Sequence, residues 1–187
     1  MEWRAASSPG LDFAVWTLLH DGLRIPPFDR HFPASDDAAA GGVTPDGWRA
    51  WVVDLAEWAE GHPNVQPHAE DIITPALDPG ARDRFSALWA EYAEEAVDWH
   101  RLMAPWLGEW SVPEVMREFW SRATQRGIDR CGHVDVHLVR YPGPAAMRVT
   151  QRSVLVATGG WMTSFEQFAD FLFAALAQTP TRGGSPD

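Results

Sequence analysis

The stretch from Arg130 to Gly159 reads RCGHVDVHLVRYPGPAAMRVTQRSVLVATG. It holds two runs rich in Val, Leu and Thr that alternate in polarity, about His133 to Tyr141 and about Met147 to Ala157. Runs of this kind form β-strands, because branched side chains pack well on a pleated surface. Between them lies Tyr141-Pro142-Gly143-Pro144-Ala145. Proline fixes φ and removes an amide donor, and glycine tolerates turn conformations, so the connection is tight. Two strands joined in this way predict an antiparallel hairpin.

Successive strand side chains point to opposite faces. Val134, Val136 and Leu138 therefore share one face, and Cys131, His133, Asp135 and His137 share the other. The apolar face needs a cover, and the flanking segments read as the helices that supply it.

Leu11, Val15, Leu18 and Leu19 mark a first helix over Leu11–Leu23. The segment from Arg24 to Pro45, with its prolines and Gly41-Gly42, reads as a long irregular connection. Thr44-Pro45 starts a second helix, a capping hydroxyl followed by proline at the first helical position. Trp48, Trp51, Val52, Leu55 and Trp58 form its stripe, and Gly61-His62-Pro63 stops it. The longest helix is predicted from Asp78 to Pro105, with Phe85, Leu88, Trp89, Tyr92, Ala96, Trp99 and Met103 at helical spacing. Ser111 with Glu114 is a capping box for the next helix, which carries Phe119 and Trp120. Thr163 with Glu166 is a second capping box, opening a last helix over 162–178. That helix is apolar nearly all round, with Phe171 and Phe173 outside its main stripe. Such a helix is either buried or meets a partner.

The fold expected is therefore α+β and mostly helical: about five helices packed around a small antiparallel β-hairpin. One globular domain over 1–178 and a disordered polar tail over 179–187 are expected.

Composition narrows the function. The formal net charge is −11, which disfavours nucleic acid and anionic membranes as partners. All 15 basic residues are arginine, so pyridoxal phosphate linkage, Schiff-base chemistry and a phosphate-loop lysine are excluded. The single cysteine, Cys131, allows no internal disulfide and fits a reducing, cytoplasmic location. The N-terminal residues lack a signal-peptide pattern, and no apolar run approaches a membrane span.

The chemistry-bearing candidate is the stripe Cys131, His133, Asp135, His137. Three ligands such as His133, Asp135 and His137 could hold zinc or iron and leave a position open for catalysis. Arg148 and Arg152 on the second run would then bind an anionic substrate nearby. The plainer account is that polar residues simply line the watered face of an antiparallel pair. HExxH, paired-cysteine zinc patterns and GxSxG are all absent. Weaker candidates are His20-Asp21 with Asp29-Arg30-His31, His68 with Glu70 and Asp71, and the Thr158-Gly159-Gly160 turn as an anion cradle. The preferred reading is a non-catalytic binding or assembly module without a cofactor. It would associate with a second copy or another protein through 162–178. The alternative is a metal-dependent hydrolase or oxygenase built on 131–137.

Overall fold

A computed structural model of the chain describes residues 2–6, 8–21, 24–28, 43–62, 65, 67–73, 77, 79–110, 113–128, 133–158 and 164–180. For 2–6, 21, 69–70, 94–95, 97–110 and 113–116 it describes the backbone alone. Residues 29–42, Ser111, Cys131, Gly159-Gly160, Thr163 and 181–187 lie outside the described residues.

The order of elements is β1 (Glu2–Ala6), α1 (Pro9–Asp21), α2 (Pro45–Gly61), α3 (Ala69–Ile72), α4 (Pro79–Trp110), α5 (Pro113–Gln125), β2 (His133–Val139), β3 (Ala146–Arg148), β4 (Ser153–Ala157) and α6 (Phe165–Leu176). The α+β class holds. The strands form one mixed sheet in the order β1-β2-β4-β3.

The pairing within that sheet corrects the expected hairpin. Met147–Ala157 is two strands, not one. The chain turns back at Val149–Arg152, where the Thr150 hydroxyl oxygen accepts from the Arg152 and Ser153 amides at 3.1 and 2.9 Å. The antiparallel hairpin is therefore β3 with β4. β4 then enters between β3 and β2 and runs parallel to β2, with Asp135 opposite Ser153 and Val139 opposite Ala157. The Tyr141–Ala145 connection thus steps over the place that β4 occupies. β1 lies parallel on the other side of β2.

Strands paired in parallel are normally covered on both faces, and this sheet is. Val134, Val136, Leu138, Val154 and Val156 pack on Phe119 of α5 and on Phe168, Leu172 and Phe173 of α6. Val139, Met147, Leu155 and Ala157 pack on the opposite side, with Leu11, Phe13 and Leu18 of α1, Trp51 and Val52 of α2 and Phe85 of α4. Both buried indoles of α2 find acceptors, as desolvated N–H groups must. Trp48 donates to the Ala14 carbonyl at 2.9 Å and Trp51 to that of Ile72 at 2.6 Å. Among the described residues, the exposed large apolar side chain is Val65.

Helix starts follow local chemistry. Ser8 caps α1, its hydroxyl accepting from the Leu11 amide at 3.4 Å, with Pro9 at the first helical position. Thr44 caps α2 as expected, accepting from the Gly47 amide at 3.0 Å. For α6 the cap is Ser164 rather than Thr163: its hydroxyl accepts from Gln167, so α6 begins one residue later than the capping box implied. Pro105 does not end α4, whose backbone stays helical to Trp110. A proline inside a helix removes one amide donor, and the rest of the ladder continues here past that loss.

Candidate functional site

His133, Asp135 and His137 alternate along the amino-terminal part of β2 and project on the α1–α2 side of the sheet. Their surroundings differ from the watered face that an antiparallel pair would offer. Asp135 and His137 are buried, and only His133 keeps about a third of its side chain exposed (32%). The physical reason is the insertion of β4, which brings Ser153 beside Asp135 and bonds Ser153 to Glu60 in the last turn of α2.

The three side chains divide into two groups. His133 Nε2 lies 2.8 Å from Asp135 Oδ1, and the Arg152 guanidinium stands 3.7 Å from Asp135 Oδ2. His137 turns instead to Ser153, with Nε2 to Oγ at 3.4 Å. Ser153 donates its only hydroxyl proton to Glu60 Oε1 at 2.7 Å. The Ser153 oxygen must therefore accept from His137, which fixes the proton on His137 Nε2. Glu60 Oε1 also accepts from the Thr150 hydroxyl. The result is a chain of bonds, His137 to Ser153 to Glu60 to Thr150, tying β2, β4, the β3–β4 turn and α2.

This geometry has chemical consequences. A carboxylate that binds an imidazole on one oxygen and faces a guanidinium on the other is already neutralised, and the Arg152 cation opposes a metal ion beside it. Among the described residues no three His, Cys, Asp or Glu side chains gather so as to hold a metal ion. Ser153 is fully buried and its hydroxyl donates a hydrogen bond to Glu60, so it is not posed as a nucleophile with His137 as base.

No protein-family model, curated protein or solved structure matches this chain. The site is therefore read from its own geometry.

The anion candidates are placed apart. Arg152 faces Asp135. Arg148 reaches the end of α6, where its guanidinium donates to the Leu176 carbonyl at 2.9 Å and to that of Gln178 at 3.5 Å, and to the Gln151 carbonyl at 3.2 Å. It serves as a cationic cap on helix carbonyls that would otherwise lack donors.

The weaker candidates also find local duties. His20 stacks on Trp16, with ring centroids 4.9 Å apart, and the Asp29–His31 part of that proposal lies outside the described residues. Asp71 accepts from the His68 amide at 2.8 Å and so caps α3. Thr158 donates from its amide and its hydroxyl to the Val139 carbonyl, closing β4 onto β2.

One buried polar cluster is absent from the sequence reading. Asp12, fully buried in the first turn of α1, accepts from the Arg140 backbone amide at 2.5 Å and from Arg140 Nε at 2.9 Å. The Tyr92 hydroxyl of α4 donates to the same carboxylate at 3.0 Å, and the Arg140 guanidinium lies over the Tyr92 ring. Burial pushes the Asp12 carboxyl above its usual range, against the pull of Arg140 and Tyr92. Burial, and then the Asp12 charge, holds the Tyr92 phenol well above its usual value. An acid inside an apolar helix face was the only signal available, and its basic partner lies 128 residues away.

Proposed function

We propose that this protein is a non-catalytic binding and assembly module that self-associates through the surface around its final helix, residues 162–178. The observation that carries the reading is a set of half-buried apolar side chains from α5, α6 and the residues after α5, all packed on the second core cluster. Trp120, Ile128, Phe165, Phe171 and Leu176 lean on the second core cluster and keep part of their surface outside it. Arg122, paired with Glu118 and Glu166, and Arg126, paired with Asp170, link the α5 segment to the same α6. Aromatic side chains and arginine are what protein interfaces favour.

The placement of the other candidates supports the same reading. His133, Asp135, His137, Arg148 and Arg152 are each engaged within the chain, so the residues nominated for chemistry have structural work. The reading commits to a second copy of the chain as partner, since two-fold dimers are the commonest oligomers. The net charge of −11 argues against nucleic acid, and the lone Cys131 supports a cytoplasmic setting. No helix among the described residues is long and apolar enough to cross a membrane.

The competing reading is a metal-dependent enzyme at 131–137, using zinc or iron. In its favour, a carboxylate bonded to an imidazole, as Asp135 is to His133, is the pair that orients metal-bound histidines elsewhere. The bond of buried His137 to Ser153 weighs against it.

Light scattering across a micromolar concentration series tests the preferred reading. Wild type should run at twice the chain mass, and Phe171→Ser should run as a monomer with unchanged helix content. A wild type that stays monomeric throughout would remove it.

A further inference from the structure

Among the described residues β3 is one of the two edge strands of the sheet, and an edge carries backbone groups able to pair with another chain. In an antiparallel ladder, alternate residues turn their N–H and C=O outward. Met147 faces Leu155 of β4, while the ladder bonds at the two ends run from Ala157 N to Ala145 O and from Val149 N to Ser153 O. Ala146 and Arg148 therefore direct their backbone groups away from β4. Both meet one side chain. Gln178, two residues beyond α6, accepts from the Arg148 amide with its Oε1 at 3.4 Å and donates from Nε2 to the Ala146 carbonyl at 3.4 Å. A primary amide has the same donor–acceptor pair as a peptide bond, so Gln178 reproduces part of the strand that would lie next to β3. The Arg148 guanidinium, bonded to the Leu176 and Gln178 carbonyls, holds that segment in place.

We propose that the Gln178 amide is a guard on the β3 edge, and that the partner it excludes is β3 of a second copy. The edge is self-complementary. In a two-fold antiparallel pairing centred on Met147, Ala146 of one copy stands opposite Arg148 of the other. The Arg148 amide of each copy then donates to the Ala146 carbonyl of the other. Those are the two groups that Gln178 occupies. Guard and second strand compete for the same bonds, so removing the guard converts a closed edge into a pairing site. The proposal rests on the sheet edge and is independent of the α6 surface.

Amide exchange and mass, measured on the full chain for wild type and Gln178→Ala, test it. At dilute concentration the Arg148 amide of Gln178→Ala should exchange about tenfold faster than in wild type, the factor expected for loss of one hydrogen bond of ordinary net strength. The Met147 amide should be unchanged. At higher concentration Gln178→Ala should form a species of twice the wild-type mass, whatever the wild-type mass is, with the Arg148 amide protected again. Adding Arg148→Pro, which removes the edge donor, should abolish that species, while adding Arg148→Ala should leave it. Equal Arg148 exchange in the two proteins, no heavier species, or a heavier species that survives Arg148→Pro would each overturn the proposal. If wild type proves monomeric, the α6 reading fails while this one stands or falls on the variants alone.

Discussion

Arg140 grips Asp12 twice, from its backbone amide and from its guanidinium, so the end of β2 is bolted to the first turn of α1. The bolt is buried, and Tyr92 adds a third donor from α4. Three elements far apart in the chain thus meet at one carboxylate. Removing one partner of a buried pair strands the other charge, which costs about 3–5 kcal/mol. Asp12→Ala should lose that much in denaturant unfolding. Asp12→Asn keeps the shape of the side chain and one acceptor oxygen, while its amide nitrogen faces a donor of Arg140, and it should lose less than Asp12→Ala. Equal losses would show that the contacts contribute little.

The same carboxyl sets a pH dependence. Its folded pKa is raised above the usual 3.8, so its contribution to stability is full below that value and declines as pH rises through the folded pKa. Asp12→Asn mimics the protonated form. The stability of wild type relative to Asp12→Asn should therefore fall with rising pH above 3.8. A relative stability that rises with pH would reverse the sign and refute the cause assigned here.

Tyr92 gives an alkaline signature. Its folded pKa lies above the usual 10.0, so the unfolded chain releases this proton first and stability declines as pH rises past 10.0. The chain has 2 tyrosines, and Tyr141→Phe leaves Tyr92 as the sole reporter. In that background, tyrosinate absorbance should appear only together with loss of native circular dichroism. A smooth titration near 10.0 in the folded protein would contradict the assignment.

How much of this was legible in the sequence depends on range. Local chemistry was readable: Thr44-Pro45 starts α2, and the aromatic spacing of α4 marks its helix. The strand-like runs at 133–141 and 147–157 were readable too, with the opposite faces of the first, but β1 (Glu2–Ala6) was not, nor that the second run is two strands. The pairing was not. Thr150 holds the β3–β4 turn with its side chain, and four polar or branched residues, Val149 to Arg152, carry no glycine or proline to announce it. That turn puts β4 between β2 and β3, makes β2 a doubly covered strand and buries Asp135 and His137. A polar stripe at alternate positions looks the same in sequence whether it faces water or a helix. The long-range bond from Ser153 to Glu60 has no local trace, and that from Arg140 to Asp12 has only the acid set in the apolar face of α1.

The aromatic core gives a contrast between neighbours on one helix. Trp51 is fully buried, donates to the Ile72 carbonyl and packs against Phe13 and Phe85. Trp51→Ala should cost about 3–5 kcal/mol, as for other large core aromatics. Glu57 lies exposed on the same helix. Glu57→Ala should change stability by no more than about 0.5 kcal/mol. Comparable losses would mean that α2 is turned about its axis.

His137 bonds to Ser153, and Ser153 to Glu60, so β2, β4 and α2 are tied through His137. Melting temperatures of wild type and of His137→Ala, each with and without added zinc or iron(II), test this most directly. A structural role for His137 predicts no metal-dependent shift in either protein. It also predicts a lower melting temperature for His137→Ala without metal, since losing a buried hydrogen-bonded partner costs about 1–3 kcal/mol. A rise in the wild-type melting temperature with metal that His137→Ala abolishes would contradict it.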